Sequence, residues 1–296
     1  MGKRNVPKAP DIDLSNIKNI EAVEKIEPEF KKKVDKKTFM KRSKRFNFVE
    51  PETIPLPSKG LLYKDVTDDE DILNGYIKMY PMTAKEEEIL STPRFLKSGA
   101  STRMILERTI ASSIDAKDIL LFDSNFLMFY LRKISYGDDY TFTLTCENPV
   151  CGREFEHTVK ISELEFEELP DDIKEPIEIL LPKSKFTVKV ILPRLYHSEE
   201  IVRKNLNRKK STDSEDKRLI DNVIITTVEI LDENKKPIEK KYWEEFFESL
   251  PGIDIAEIRQ KTNFSTGIDR IENIECPYCE TKFSGSIPIG PEFFRF

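Results

Sequence analysis

The chain has 296 residues, of which 38% are hydrophobic and 34% are charged, and its net charge at neutral pH is −6. This length allows one large domain or two smaller ones. The longest apolar-leaning stretch, residues 222–231, falls short of the roughly 20 residues that cross a bilayer, which argues against a membrane protein. No apolar signal segment follows Met1, so we expect a reducing cytoplasm, where cysteines bind metal more often than they form disulfides.

The positive charges are concentrated at the N-terminus. Residues 1–46 hold 14 Lys and Arg against 7 Asp and Glu, and the basic residues are densest at 31–45. The segment has no sustained hydrophobic period, so we predict that residues 1–47 form an extended basic arm that is disordered on its own. Two interpretations stay open: the arm docks on an acidic partner or on nucleic acid, or it is a solvated tail.

A mainly helical domain is predicted for residues 48–137. It begins with residues 52–63, where two prolines and a glycine among apolar residues indicate a rigid turn on the domain surface. Residues 75–79 are predicted to form a strand. Thr83 is followed three residues later by Glu86, which is the spacing of a capping box and predicts the start of a short helix.

Two longer helices are predicted to follow in this domain. Apolar side chains at helical spacing predict the first at residues 101–113. Asp123 is predicted to be the N-cap of the second, and Gly137 is predicted to end it. A polar cluster near that end is interpreted as a helix-end interaction in preference to a functional site: Arg132, Tyr136 and Asp139.

The only four cysteines of the chain form two closely spaced pairs: Cys146 with Cys151, and Cys276 with Cys279. Four and two residues separate the members of these pairs, spacings that are found where a tight turn brings two thiolates to one structural zinc ion. The flanking sequence repeats as well, because a phenylalanine follows the second cysteine of each pair by four residues, as Phe155 and Phe283. The repetition predicts two equivalent units of strand, cysteine turn and strand.

We predict that these two units, residues 138–161 and 270–296, face one another as a zinc ribbon that binds one zinc ion through all four thiolates. Four protein ligands close the coordination sphere, so this zinc is expected to be structural and not catalytic. His157 lies near the first pair, but the alternation of side chains along a strand does not require it to point at the metal. Two alternatives stay open: the cysteines are buried free thiols, or each pair forms a disulfide.

Residues 162–269 lie between the two halves of the ribbon and are predicted to form a mainly helical insertion. One strand is predicted in it, at residues 187–192. The apolar spacing and a capping box at Thr212 and Glu215 predict helices, the last of them capped by Asp254: residues 198–206, 219–231, 242–250 and 254–261. The chain as a whole is therefore predicted to belong to the α+β class.

The sequence contains little material for catalysis. Only His157 and His197 are available for histidine-based acid–base chemistry. It contains no glycine-rich phosphate loop, no serine nucleophile elbow and no carboxylate-rich metal motif. We therefore predict that the protein is not an enzyme.

Several stretches, in this order, resemble the baseplate hub assembly proteins and hub subunits of T-even-type (T4-like) bacteriophages: IPLPSKGLLY at 54–63, MTAKEEEIL at 82–90, IDAKDIL at 114–120 and DSNFLMFYLRKISYG at 123–137, followed by the paired cysteines. The resemblance implies a non-enzymatic tail morphogenesis protein that forms, or helps to assemble, the central hub of the baseplate. It also implies other baseplate and hub proteins, and further copies of the chain, as partners. The implied location is the host cytoplasm during assembly and then the tail baseplate of the virion.

A second hypothesis comes from another class, a zinc-ribbon nucleic-acid-binding factor that uses the basic residues 31–45. We prefer the hub hypothesis and expect neither nucleic acid nor a membrane among the partners. The aromatic C-terminus, residues 293–296, is expected to be buried against the ribbon or against a neighbouring subunit.

Overall fold

The computed structural model describes residues 48–92, 95, 100–208 and 218–294. The basic arm predicted at residues 1–47 and the capping box predicted at Thr212 and Glu215 lie outside these ranges. The described residues contain a mixture of helices and strands, which agrees with the predicted α+β class. None of their helices is long and apolar enough to cross a membrane.

The N-terminal part begins with two antiparallel strands. β1 (Glu52–Pro55) pairs with β2 (Tyr76–Met79), and the short helix α1 (Glu70–Leu73) lies between them in the chain. β2 is the strand that was predicted at residues 75–79, whereas β1 was not predicted.

Three longer helices follow among the described residues of this part: α2 (Ala84–Ser91), α3 (Ser101–Thr109) and α4 (Leu121–Tyr136). The predicted capping box of α2 is present, because the N–H of Thr83 donates to Oε2 of Glu86 at 2.7 Å. α3 ends four residues earlier than predicted, because Ile110 adopts an extended conformation and forms an antiparallel bridge with Met79.

α4 ends where it was predicted to end but begins earlier. Gly137 follows its last residue with a φ of +96°, a conformation that favours glycine. Asp123 is not the N-cap: it lies in the first turn and is fully buried. Its carboxylate accepts hydrogen bonds from the N–H and hydroxyl of Ser58 and from the hydroxyl of Tyr63. The N-cap prediction was wrong because distant residues bind this carboxylate, which local spacing does not reveal.

Residues 52–63, which include the Ser58 and Tyr63 that bond to Asp123, lie largely inside the molecule. These residues were predicted to form a surface turn, but Ile54, Leu56 and Tyr63 are at most 4% exposed. The tight turn itself is present: Gly60 has a φ of +73°, and a Cβ on it would lie 2.0 Å from the carbonyl oxygen of Ile72. Glycine is therefore required there by both conformation and space.

Two antiparallel hairpins lie at the positions predicted for the ribbon. β3 (Asp139–Thr145) pairs with β4 (Glu154–Lys160) in continuous register. β8 (Arg270–Glu275) pairs with β9 (Lys282–Ser286), with an irregularity between Ile271 and Ile274. Each cysteine pair lies in the turn that connects the two strands of one hairpin.

A short 3-10 helix, Pro291–Phe294, follows the second hairpin. Its Phe293 and Phe294 are buried. The ring of Phe293 lies 4.8 Å from that of Tyr140 in β3 and 5.0 Å from that of Phe129 in α4, centroid to centroid. The predicted burial is confirmed for both residues, and Phe293 packs against the first hairpin as expected, whereas residues 295–296 lie outside the described part.

The insertion contains more strand than was predicted. β5 (Ile177–Leu180), β6 (Thr187–Val190) and β7 (Thr227–Leu231) form an antiparallel sheet in the order β5-β6-β7. In the described part of the insertion, four α-helices accompany it: α5 (Leu195–Arg208), α6 (Arg218–Thr226), α7 (Trp243–Ser249) and α8 (Gly252–Thr262). The helix predicted at 219–231 stops at Thr226, because β-branched residues there pair with β6 and the apolar spacing fits both structures.

Asp254 does not cap the last helix of the insertion. It lies inside α8, and its carboxylate accepts hydrogen bonds from the N–H groups of Lys183 and Ser184 at 2.7 and 2.9 Å. As with Asp123, a contact between segments that are distant in the chain binds an acidic side chain whose local sequence predicts an N-cap. The N-cap prediction at Asp254 was therefore wrong.

The buried apolar side chains of the described residues form three clusters. The largest joins the N-terminal part to the base of both hairpins and to the C-terminal turn, through residues such as Ile105, Phe129 and Ile287. A second lies within the insertion and includes Val188 and Trp243. The third surrounds the cysteines. The bases of the hairpins therefore pack in the main core, and their cysteine ends pack in a separate small cluster.

Candidate metal centre

The two hairpins close their cysteine turns with the same backbone hydrogen bond. The N–H of Cys146 donates to the carbonyl oxygen of Arg153 at 2.9 Å, and the N–H of Cys276 donates to that of Thr281 at 3.0 Å. Each acceptor lies two residues after the second cysteine of its pair. The equivalence expected from the repeated sequence is therefore present in the backbone.

A second shared bond shows how the two spacings are accommodated. The residue directly after the second cysteine of each pair donates its N–H to the carbonyl oxygen three residues before that cysteine. In the first turn Gly152 donates to Asn148, and in the second Glu280 donates to Cys276, both at 2.9 Å. Gly152 and Glu280 both have positive φ angles, +52° and +58°. Asn148 thus occupies in the first turn the position that Cys276 has in the second, and Cys146 lies two residues before it.

These turns bring the four sulfur atoms together. The Sγ atoms of Cys146 and Cys279 lie 3.6 Å apart, those of Cys151 and Cys276 lie 3.9 Å apart, and all four lie within 4.8 Å of one another. A tetrahedral zinc ion with Zn–S distances of about 2.3 Å requires sulfur atoms about 3.8 Å apart. All four cysteines are free thiols, and these two short contacts each join different hairpins, so the geometry does not support a disulfide within each pair.

The thiols differ in their surroundings. Hydrogen bonds from the hydroxyl and then the N–H of Thr281 lower the pKa of Cys279 to about 6. Burial raises the pKa of Cys146 to about 12. A hydrogen bond from the N–H of Arg153 lowers the pKa of Cys151, but burial and the neighbouring sulfurs outweigh it, so this pKa is raised. A cation bound at the centre would favour the thiolate form of all four.

Two polar side chains that the sequence analysis missed hold the hairpins together beside the sulfurs. Nδ2 of Asn148 in the first turn donates to Oγ1 of Thr281 in the second at 3.1 Å and lies 4.0 Å from Sγ of Cys279. The hydroxyl oxygen of Thr281 lies 3.3 Å from the same sulfur. Asn and Thr are common in turns, so nothing in their spacing distinguished them from ordinary turn residues.

The repeated phenylalanines form the support of this site. The ring centroids of Phe155 and Phe283 lie 6.2 Å apart, and the rings are nearly perpendicular. Leu144 and Ile274, each two residues before the first cysteine of its pair, pack in the same cluster. The residues whose spacing was repeated in the sequence therefore meet across the two hairpins.

The other residues considered in the sequence lie elsewhere. The ring of His157 packs against Phe142, and His157 is not one of the residues whose ligand atoms cluster. His197 is 3% exposed, and its Nδ1 accepts a hydrogen bond from the N–H of Arg194. At the end of α4, Nη1 of Arg132 donates to the carbonyl oxygen of Gly137 at 2.7 Å, which is the helix-end interaction that was expected.

These features define a protein of mixed helices and strands in which two hairpins bring together four cysteines that could hold a metal ion. A family model described as T4 bacteriophage base plate protein matches residues 63–295, and the chain belongs to this family. The resemblance to T4-like baseplate proteins is therefore confirmed, and membership supports a structural role in the tail baseplate of a phage particle, among other baseplate proteins. No curated protein and no solved structure showed a match to the chain.

Proposed function

We propose that this protein forms, or helps to assemble, the central hub of the phage baseplate through protein–protein contacts and without catalysing a reaction. Assembly takes place in the host cytoplasm. The observation that carries the proposal is the match to the baseplate family over residues 63–295, together with two hairpins whose four cysteine sulfurs lie within 4.8 Å of one another. A metal ion bound there would clamp the hairpins and give partners a fixed surface to bind.

The clamp of the proposed hub protein is one zinc ion bound by Cys146, Cys151, Cys276 and Cys279. Sulfur ligands in a closed tetrahedral set are typical of structural zinc, and the distances of 3.6 and 3.9 Å between sulfurs of the two hairpins are close to those of that geometry. When bound, the ion supplies positive charge that holds four thiolates together. Because Cys151 and Cys276 are 125 residues apart in the chain, the same bonds tie the two ends of the insertion to each other.

The positions of the histidines support a role without catalysis. His197 is buried and already accepts a hydrogen bond from the backbone, and His157 packs against an aromatic ring of its own hairpin. A general acid or base must reach the proton that it transfers. His197 lies too deep for that task.

The hub role is tested in a phage whose copy of this gene is inactivated. We expect infected cells to lack complete baseplates by electron microscopy, and a supplied copy of the gene to restore them. A tagged chain should co-purify with hub proteins from those cells. Normal baseplates in the absence of the protein would contradict the proposal, as would DNA binding that weakens steeply with salt in place of binding to tail proteins.

The metal is tested on the purified protein. Elemental analysis should find one zinc per chain, and Cys276→Ser should lose most of it because three thiolates and an alcohol hold zinc weakly. Ser286→Ala, on an exposed strand residue of the same hairpin, is the matched control and should keep full zinc content. Zinc content near zero in the unaltered chain, with stability unchanged by a chelator, would refute the zinc proposal.

A further inference from the structure

The tips of the two cysteine turns expose apolar side chains at equivalent positions. Both turns contain the sequence Pro-X-Cys, and each proline and the residue after it is exposed: Pro149, Val150, Pro277 and Tyr278. Val150 is 95% exposed and Tyr278 is 54% exposed. We call these four residues the knuckle surface.

The two tips lie beside one another. Val150 and Tyr278 each directly precede a cysteine of the sulfur cluster, whose atoms lie within 4.8 Å of one another. The guanidinium carbon of Arg153, from the first hairpin, lies 5.0 Å from the ring centroid of Tyr278, from the second. Apolar residues from two distant parts of the chain are thus brought to the same end of the paired hairpins.

Metal binding does not account for these apolar residues. The knuckle surface contributes no residue to the small core around the cysteines, which consists of Leu144, Phe155, Ile274, Phe283 and their neighbours. The bonds that shape the turns come from backbone N–H groups and from Asn148. A polar side chain in place of Val150 or Tyr278 would leave all of them intact.

The knuckle surface is also ordered before any partner arrives. Each tip contains a proline, and the N–H of Val150 donates to Oδ1 of Asn148 at 3.0 Å. Binding to a rigid surface loses less conformational entropy than binding to a mobile one. Exposed aromatic and aliphatic groups on a rigid support are the features that concentrate binding energy in protein interfaces.

The charges at its edge indicate the kind of partner. Glu147 and Glu280 are exposed next to the knuckle surface, and neither has an ion-pair partner among the residues that the structure describes. Two basic residues lie nearby: Arg153 lies over the ring of Tyr278, and Lys282 pairs with Glu275 at 3.9 Å. The two glutamates therefore leave the edge with an excess of negative charge over Arg153. We propose that the knuckle surface docks into an apolar hollow edged by Lys or Arg on another baseplate protein, as electrostatic complementarity requires.

Another exposed apolar area serves as the comparison. Leu180 and Val228, on the insertion sheet, are 63% and 46% exposed. The charges of this sheet are paired within it, because Lys189 bonds to both Glu178 and Glu229. This area has no unpaired charge of one sign to select a partner, and Leu180 is therefore the control position.

The test is site-specific photo-cross-linking during phage assembly, and it rests on the proposed baseplate role. A photoreactive phenylalanine analogue replaces Val150 in one variant, Tyr278 in a second and Leu180 in a third, and the zinc content of each purified chain is checked against the unaltered protein. We expect positions 150 and 278 to cross-link to one and the same baseplate protein, at a peptide with apolar residues flanked by Lys or Arg. Two agreeing positions guard against a single variant that fails to fold.

A charge change sharpens the test. The double variant Glu147→Lys, Glu280→Lys should reduce the yield of this cross-link at least tenfold, whereas Glu245→Lys on α7 should leave it unchanged. An unchanged yield in the double variant would overturn the proposal. So would cross-links from positions 150 and 278 to DNA, or to a second copy of the chain, including its basic residues 31–45.

The failure of this inference is distinguishable from the failure of the proposed function. If Leu180 cross-links to a tail protein while positions 150 and 278 do not, the chain is in the baseplate and the knuckle surface is not its docking site. If none of the three positions cross-links to a tail protein, the docking proposal is overturned, and the baseplate role is decided by the gene-inactivation experiment described above.

Discussion

At the scale of single residues, two buried polar side chains hold segments that are far apart in the chain. The carboxylate of Asp123 joins α4 to the turn that contains Ser58 and Tyr63, and burial raises its pKa although these hydrogen bonds lower it. The imidazole of His197 accepts the N–H of Arg194 at the start of α5. Both are structural groups whose loss should be visible in stability.

Asp123→Ala should lower the free energy of unfolding by about 3 kcal/mol, because it leaves the N–H and hydroxyl of Ser58 and the hydroxyl of Tyr63 buried without their acceptor. Urea denaturation followed by circular dichroism measures this loss. Asp172→Ala, at an exposed position, is the control and should change stability by less than about 0.5 kcal/mol. Equal effects of the two substitutions would contradict the structural role of Asp123.

His197 should make the protein sensitive to mild acid. Burial, and then the charge of Arg194, lower its pKa to about 4 from a usual 6.5, so the unfolded chain takes up the proton first. The contribution of neutral His197 to the free energy of unfolding is therefore fully present above pH 6.5 and is lost as the pH falls toward 4. The loss is about 3 kcal/mol at most. Melting temperatures measured from pH 7.5 to 4.5 should show this loss.

The contribution of His197 is separated from that of the carboxylates by substitution. His197→Asn keeps a hydrogen-bond acceptor without a proton that titrates in this range, so the fall in melting temperature between pH 6.5 and 4.5 should become smaller. His157→Asn changes the other histidine of the chain and should leave the fall as it is. A fall of the same size in all three proteins would show that His197 is not its source.

At the scale of elements, the metal centre depends on contacts between the hairpins as well as on the four ligands. Asn148 and Thr281 bond to each other across the two turns, and the hydroxyl oxygen of Thr281 lies 3.3 Å from Sγ of Cys279. Groups that bond to metal ligands orient them and tune their basicity. The side chain of Thr281 thus couples the geometry of one hairpin to a ligand and to the other hairpin.

Thr281→Val should weaken zinc binding by about 10–100-fold, because valine keeps the shape of threonine and removes its hydroxyl. Competition with a coloured chelator measures the affinity. Thr158→Val, which removes an exposed hydroxyl that bonds to Thr141 in the first hairpin, is the matched control and should bind zinc normally. If both variants bind zinc as the unaltered chain does, Thr281 has no part in the site.

At the scale of the whole molecule, the described residues contain separate cores whose dependence on metal should differ. The cysteine ends of the hairpins are supported by a small cluster, whereas the insertion sheet packs on its own cluster around Trp243 and Phe247. The base of the hairpins belongs to the largest core. Loss of the metal should therefore loosen the tips of the hairpins and leave the insertion folded.

Chelation should raise amide hydrogen exchange at least tenfold around residues 144–155 and 274–283. Trp243 is the only tryptophan of the chain and is 5% exposed within the insertion core, so its fluorescence spectrum reports on that core. We expect this spectrum to stay the same when the chelator is added. A red shift of the spectrum, or unchanged exchange at both turns, would contradict the division into separate cores.

Much of the structure could be predicted where neighbouring residues determine the outcome. The capping box at Thr83 and Glu86, the helix end at Gly137 and the two hairpins depend on local hydrogen bonds and backbone angles. The predictions failed where a residue distant in the chain determined the hydrogen bonding or the secondary structure. Asp123 and Asp254 have the local sequence of N-caps but accept hydrogen bonds from residues 65 and 71 positions away, and Thr227–Leu231 becomes a strand because β6 lies beside it.

The sequence by itself determined that the four cysteines form two equivalent turns, because their register repeats in the flanking residues. Only the tertiary structure decided that the sulfurs meet within 4.8 Å, that Asn148 and Thr281 join the turns, and that the knuckle surface faces solvent. The physical reason is the distance along the chain. A turn is encoded by a few adjacent residues, whereas a meeting of segments 125 residues apart depends on how the insertion between them folds and on the core beneath both hairpins.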